Sequence, residues 1–215
     1  MKKLILFILI IVFNFPNSAQ TKQVGEVKYV VKYEGESLQL NLFMQGNNLK
    51  MDKQGKDGNE SFIHKGGISV VVYPAQQIYA VYDDIKDKYL DTPPPVFNTG
   101  SDEMKLTKTK EKKIILGVEC EKWVLKNPAM TVELWINKNI AYDRSLADAI
   151  PEFGVNWSEI VRKEKAFPVA VKVLDDLGAV IYSFQAYEIK QGQPDKNVFV
   201  IPGNYKKAQK EPAKK

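Results

Sequence analysis

The chain has 215 residues, with 31 lysine and arginine residues against 26 acidic residues, one histidine and one cysteine. A single cysteine excludes an intramolecular disulfide, and one histidine with one cysteine excludes a zinc site of the usual type. The basic excess lies at the two ends, because residues 20–205 carry 24 basic and 25 acidic residues, so we expect no nucleic-acid partner.

The chain begins with a segment typical of a secretory signal peptide. Two lysines precede an unbroken apolar run at 4–13, and a Ser-Ala pair at 18–19 stands before Gln20. A transmembrane helix needs about 20 apolar residues, so this run is too short to span a bilayer. We predict cleavage after residue 19 and export to the periplasm or the extracellular space. An uncleaved N-terminal anchor is the alternative.

Alternating apolar and polar residues follow, and they predict strands with one buried face. Val27, Tyr29 and Val31, for example, alternate with Lys28 and Lys32. Connections between the predicted strands are mostly short, which favours antiparallel neighbours, because parallel pairs need long crossovers. In chain order, with a Pro-rich loop at 92–95, the main predicted strands cover 27–33, 38–44, 49–51, 60–64, 68–73, 77–82, 118–125, 131–137, 168–174, 179–189 and 197–201.

Three other segments complete the chain. The highly charged residues 105–113 indicate a solvated strand or hairpin arm. Residues 143–165 interrupt the alternation with two short helices, each with one apolar face. The Lys-, Ala- and Pro-rich tail is expected to be disordered. The sequence therefore predicts a signal peptide at 1–19, a single β-rich domain at 20–205 and a disordered basic tail at 206–215.

No recognisable catalytic motif occurs in the sequence. His64 has no accompanying nucleophile motif, and there is no glycine-rich phosphate loop or dinucleotide fingerprint. Most carboxylates stand beside lysines, as is usual for a solvated surface. Cys120 is expected to be buried, as cysteine commonly is, with a reactive thiol as the alternative. We predict no enzymatic activity, no cofactor and no metal, with an unrecognised hydrolase that uses paired carboxylates as the alternative.

Aromatic residues supply the candidate ligand-binding positions. Trp123, Trp135, Phe153 and Trp157 fall in or near the segment with the two predicted helices. Ordinary core packing is one interpretation, because aromatic side chains dominate protein cores. The other is that a curved sheet leaves a concave apolar face and the helices form a lid over it. Pockets for small molecules are typically concave and apolar.

Four short motifs resemble a family of exported bacterial proteins known only as a domain of unknown function. They lie at 42–52, 115–123, 132–135 and 199–205. That family is similar to the LolA-like lipoprotein carriers, whose fold is a half-open antiparallel barrel closed by short helices and whose apolar hollow holds acyl chains. The resemblance implies this fold for most of residues 25–205 and carries no active-site residues. Unlike the carriers, the chain shows no amphipathic helix after the signal.

The combined prediction is a mainly β protein with a single curved antiparallel sheet and one or two short helices as a lid. Its predicted function is that of a non-enzymatic cell-envelope protein that binds or carries an apolar small molecule, such as a lipid or a lipoprotein acyl chain. The alternative is a structural or protein-interaction domain with a filled core. Peripheral association with a membrane remains open, as does the oligomeric state.

Overall fold

The computed structural model describes residues 24–33, 35–56, 58–82, 104–140, 164 and 166–208. A 3₁₀ helix spans Lys196–Phe199. No helix in these ranges is long and apolar enough to cross a bilayer. The strands, in chain order, are β1 (Val24–Tyr33), β2 (Glu36–Gln45), β3 (Asn48–Gly55), β4 (Gly58–Lys65), β5 (Ile68–Tyr73), β6 (Ile78–Val81), β7 (Lys105–Ile115), β8 (Val118–Lys126), β9 (Met130–Asn137), β10 (Phe167–Asp175), β11 (Val180–Gln191) and β12 (Lys206–Lys207).

The described strands form one open sheet. Its 12 strands are ordered β12-β6-β5-β4-β3-β2-β1-β11-β10-β9-β8-β7. Within the described ranges, β12 pairs in parallel with β6, and all other pairs are antiparallel. The pairing of β1 with β11 joins the two halves of the sheet. The prediction of a mainly β fold with a single curved, half-open antiparallel sheet is confirmed, and β12 adds one parallel strand.

The sequence Asp175-Asp176-Leu177-Gly178 predicts a hairpin turn between the last two long strands, and this turn shows how local sequence sets the topology. The Asp175 carboxylate accepts hydrogen bonds from the backbone N–H groups of Leu177 and Ala179, at 3.0 and 2.7 Å. Gly178 has a φ of +83°, which glycine adopts without a steric penalty. The turn therefore closes β10 onto β11, as the sequence predicts.

One face of the sheet, which we call the core face, carries the main apolar core. Across β1 to β6, the register aligns buried side chains in a row. Across β8 to β1, a second row runs through Trp123, Leu134, Val171, Phe184 and Val31. Both rows belong to one cluster of contacting side chains, so the sheet curves around a shared core. The first row consists of Val27, Leu42, Met51, Phe62, Val71 and Ala80.

Tyr29 ties three neighbouring strands together at the centre of the core. Its ring stacks on Phe184 of β11 with a centroid separation of 4.3 Å. Its hydroxyl donates a 3.1 Å hydrogen bond to the Pro168 carbonyl oxygen of β10, two strands away. The residue opposite Tyr29 in β11 is the small Ala186, which leaves room for the ring to reach that far.

The C-terminal segment corrects two predictions. Residues 197–201 were expected to form a strand, but Lys196–Phe199 form the 3₁₀ helix, whose N-cap Asp195 accepts a 2.9 Å hydrogen bond from the Asn197 N–H. Phe199 is buried, and the helix contacts β3 and β4 rather than a free strand edge. The expected disorder from Lys206 onward is wrong at its start, because Lys206–Lys207 pair with β6.

Of the remaining predictions, one is confirmed and the others concern segments outside the described residues. The charged segment 105–113 lies within β7, so its assignment as a strand is confirmed. The signal peptide at 1–19, the Pro-rich loop at 92–95 and the remaining tail lie outside the described residues. The same holds for the predicted lid at 143–165, apart from Glu164.

Candidate functional site

A cavity of about 440 Å³ opens at one end of the core face, where the β1–β2, β3–β4 and β5–β6 turns meet. Tyr33, Leu38, Lys53, Glu60 and Tyr73 line it. Each of these residues is two positions along its strand from a buried core residue, so it lies on the same face of the sheet. The cavity is therefore the open end of the face that holds the core, and we call it the rim cavity.

Apolar groups form the inner wall of the rim cavity. Tyr33, Leu38 and Tyr73 are partly buried and pack against the main core cluster. The cavity volume lies in the range typical of small-molecule sites, which are about 300–1,000 Å³. An apolar wall continuous with the core gives a ligand a surface on which it can lose contact with water.

Charged groups surround the opening. Lys56 and Glu36 form an ion pair, and Lys53 lies directly opposite Glu60 in the β3–β4 register. These two lysines and two glutamates leave the lining without net charge. Burial, and to a smaller extent the Glu60 carboxylate, raises the pKa of the Tyr73 hydroxyl. Tyr73 therefore stays protonated at neutral pH and can donate a hydrogen bond.

Trp123, the first predicted ligand-binding residue, lies in the core far from the rim cavity. Its side chain has no exposed surface. The ammonium groups of Lys108 and Lys138 lie 5.0 and 5.3 Å from its ring, within the range of a cation–π interaction. Carboxylates hold both lysines in place: Glu164 is 2.7 Å from Lys108, and Glu121 is 2.7 Å from Lys138. The residue is thus closed off from a ligand in this structure.

Trp135 lies on the opposite face of the sheet from Trp123. The register pairs Trp123 with Leu134 and pairs Trp135 with Lys122, and adjacent residues of a strand point to opposite faces. These two tryptophans therefore do not line a common site. Phe153 and Trp157 lie outside the described residues, so their part in ligand binding stays a prediction.

A second cavity, of about 370 Å³, lies beside Trp135 on the outer face. Its walls include Ile114 and Leu116 from the β7–β8 hairpin and Lys172 from β10. The Lys113 ammonium group is 5.8 Å from the Trp135 ring. Glu133 and Gln185 also line this cavity, so its walls combine apolar, charged and amide side chains.

The side chains of Cys120 and His64 are chemically the most reactive ones in the described strands, and each lies within the sheet, in β8 and β4 respectively. The Cys120 thiol is buried, as predicted, and burial raises its pKa to about 11, so it is a poor nucleophile at neutral pH. His64 Nδ1 lies 2.8 Å from the Ser69 hydroxyl oxygen of the neighbouring strand. Among the described residues, no three or more His, Cys, Asp or Glu side chains are grouped to hold a metal ion.

Sequence reasoning missed the residues of the rim cavity. A signal was present: Lys53 follows Met51 by two positions, and Glu60 precedes Phe62 by two, so both charges are in phase with the apolar face of their strands. The pair flanks the connection between β3 and β4 symmetrically. Opposite charges in phase with an apolar stripe, next to a turn, mark the place where a core face opens to water.

The fold defines the class of protein: a single open, curved, almost wholly antiparallel β-sheet with a cavity at one end of its core face. The chain belongs to the family described as "Domain of unknown function (DUF4412)", whose model matches residues 24–205. The family resemblance noted from the sequence is thereby confirmed. No curated protein matches the chain in sequence.

Two solved structures share this fold at low sequence identity, with TM-scores of 0.50, and a third structure gives a much lower TM-score. An uncharacterized conserved protein from Thermus thermophilus has a TM-score of 0.50 and 12% identity, covering 86% of this chain and 90% of its own. The MucA/MucB complex of Pseudomonas aeruginosa gives a TM-score of 0.50 at 10% identity, and the match covers 85% of this chain but 56% of the other. An outer membrane lipoprotein-sorting protein domain from Vibrio parahaemolyticus has a TM-score of 0.29 at 10% identity, covering 81% and 87%.

Proposed function

We propose that the protein is a non-enzymatic protein of the cell envelope that binds an apolar ligand in the rim cavity. The observation that supports this most directly is the continuity of the cavity wall with the core, through Tyr33, Leu38 and Tyr73. An apolar group placed there leaves water for a surface already packed on the core. Placement in the envelope rests on the signal-peptide pattern of residues 1–19.

The charged and polar groups around the opening of the rim cavity restrict the polar end of the ligand. Lys53, Lys56, Glu36 and Glu60 balance each other in charge, so a ligand with a strong net charge would gain little from them. The protonated Tyr73 hydroxyl offers a hydrogen-bond donor. We therefore propose an apolar ligand whose polar end is uncharged or zwitterionic.

Filling the cavity provides the test. Gly55 lines the cavity, and a Cβ atom added there would lie 3.6 Å from the Leu38 Cβ, an ordinary van der Waals contact. Gly55→Leu should therefore fold and occupy the cavity with its own side chain. Gln54→Leu is the matched control, because it adds the same side chain one position earlier, on the other face of β3.

The assay uses N-phenyl-1-naphthylamine, an uncharged apolar dye whose fluorescence rises on leaving water, together with mass spectrometry of organic extracts of the purified protein. We expect the parent chain and Gln54→Leu to bind the dye and Gly55→Leu to lose at least about tenfold in affinity, as expected when a binding surface is occupied. Equal binding by Gly55→Leu and Gln54→Leu would place the ligand elsewhere, and no binding by the parent would reject the proposal.

A second function, a structural or protein-interaction domain with a filled core, is favoured by a different observation. Leu134, Ile136, Phe184 and Trp123 have no exposed surface, and Val171 is 1% exposed, so the centre of the core face is packed by the protein's own side chains. This function predicts that the parent chain binds no apolar dye and yields no bound lipid in extracts.

A further inference from the structure

The β7–β8 hairpin concentrates the positive charge of the sheet. Residues 105–126 contain seven lysines and three glutamates, whereas the rest of residues 20–205 carries 17 basic and 22 acidic residues. On β7, the side chains of Lys105, Lys108, Lys110 and Lys112 are exposed. The hairpin is therefore a basic arm on an otherwise acidic body.

The tip of this basic hairpin is apolar. Ile115 pairs with Val118, so Leu116 and Gly117 form a two-residue turn. Ile114 is 73% exposed and Leu116 is 45% exposed. Two large aliphatic side chains thus project into solvent at the end of a lysine-rich strand, and the described residues do not cover them.

Leu116 is an unfavourable choice for the turn itself. Its φ is +51°, and that of Gly117 is +77°. Two-residue hairpin turns with both φ values positive favour Asn, Asp or Gly, because a bulky side chain is strained in the left-handed region. Elsewhere in the described residues, Gln77 is the one other non-glycine residue with a positive φ. Neither solubility nor turn geometry therefore accounts for a leucine at this position.

Lysines along an edge strand also prevent edge-to-edge association of sheets. That role explains β7 but not its tip, because exposed isoleucine and leucine side chains favour association. Apolar side chains beside a row of lysines are instead the pattern of a segment that lies in the interface of an anionic membrane. The ion pair of Lys112 with Glu119, near the tip, is solvent-exposed, so it is weak and exchanges readily for a lipid phosphate.

We propose that the β7–β8 hairpin docks on an anionic lipid surface, with Ile114 and Leu116 inserted among the headgroups and acyl chains and the exposed lysines nearest the tip, Lys110, Lys112 and Lys113, beside the phosphates. The β10–β11 turn also exposes a leucine but lacks the positive charge. Leu177 is 89% exposed, but it follows Asp175 and Asp176, so that turn repels anionic lipid. The inference does not depend on a ligand in the rim cavity.

The test measures sedimentation of the mature chain from Gln20, which holds every described strand, with phosphatidylcholine vesicles that contain about one-third phosphatidylglycerol. Leu116→Asn removes one of the two apolar side chains of the tip and supplies a residue that the turn prefers, so it should weaken vesicle binding about tenfold without lowering the melting temperature. Leu177→Asn is the matched control and should bind as the parent does. Neither change alters charge, so the basic tail contributes equally in all three proteins.

Lys110→Gln tests the electrostatic part and should weaken binding to the anionic vesicles about fivefold. Pure phosphatidylcholine vesicles should bind the parent poorly. The proposal is overturned if the parent ignores the anionic vesicles, if Leu116→Asn binds as well as the parent, or if Leu177→Asn loses as much as Leu116→Asn. An acidic protein partner in place of lipid would give the first of these results.

Discussion

Raising the pH through the alkaline range should destabilise the protein through Cys120. Burial raises the pKa of this thiol from 9.0 to about 11 in the folded state, whereas an unfolded chain exposes it to water. Because the folded pKa is the higher one, the stabilising contribution is complete below pH 9 and is lost as pH rises towards 11. A difference of about 2 pK units corresponds to about 3 kcal/mol of unfolding free energy.

Urea unfolding of the parent and Cys120→Ala at several pH values between about 8 and 11 measures this contribution. Tyrosines and lysines also titrate in this window, but they do so in both proteins and cancel in the difference. Cys120→Ala should cost a constant amount of about 1–2 kcal/mol, roughly the cost of a small cavity, at the lower pH values. Its deficit should shrink and then reverse as pH rises. A difference independent of pH would show that the thiol is accessible in the folded protein.

Three further changes test other contacts. Tyr29→Phe keeps the stacking on Phe184 but removes the donor to the Pro168 carbonyl; it should lower the unfolding free energy by about 1–2 kcal/mol, and equal stability in urea would refute this role for the hydroxyl. Gly25→Ala places a Cβ against the Gly192 carbonyl oxygen, so it should lower the unfolding free energy by about 1–3 kcal/mol. Gly203→Ala is the control, because its Cβ meets open space, and it should leave the unfolding free energy unchanged. Glu188→Gln disrupts solvent-exposed ion pairs with Lys28 and Lys190; its denaturation midpoint should match that of the parent, since such pairs contribute little, and a clear shift would show a coupled network.

The strands and their order along the chain could be predicted because the information is local. Alternation with a period of two marks a half-buried strand, and Asp175 followed three residues later by Gly178 marks a turn. The 3₁₀ helix at Lys196–Phe199 could not be predicted in this way. Its apolar run suits a strand, but a strand needs an edge to pair with, and this segment packs across the face of β3 and β4 instead.

The strand register decides which side chains come together in the candidate site, and a short sequence motif does not determine that register. Trp123 and Trp135 share one pair of neighbouring strands, and their faces follow from the turn between them. The Asn127 side chain accepts hydrogen bonds from the N–H groups of Ala129 and Met130, at 3.0 and 2.9 Å. That turn pairs Lys126 with Thr131 and so sets the two tryptophans on opposite faces. The rim cavity brings together three turns far apart in the chain, which no local pattern reports.

The two proposed surfaces lie at opposite ends of the strands, and this arrangement constrains how they could act together. Tyr33 lies at the rim cavity. When the strand pairings are followed from Tyr33 across the sheet, they lead to Leu106 in β7. The hairpin tip begins at Ile115, about 25 Å further along β7 at about 3.3 Å per residue, with allowance for its bulge. A contact with the membrane at the tip therefore does not involve the turns that line the cavity. The two proposed surfaces can then be changed independently, by Leu116→Asn at the tip and by Gly55→Leu in the cavity.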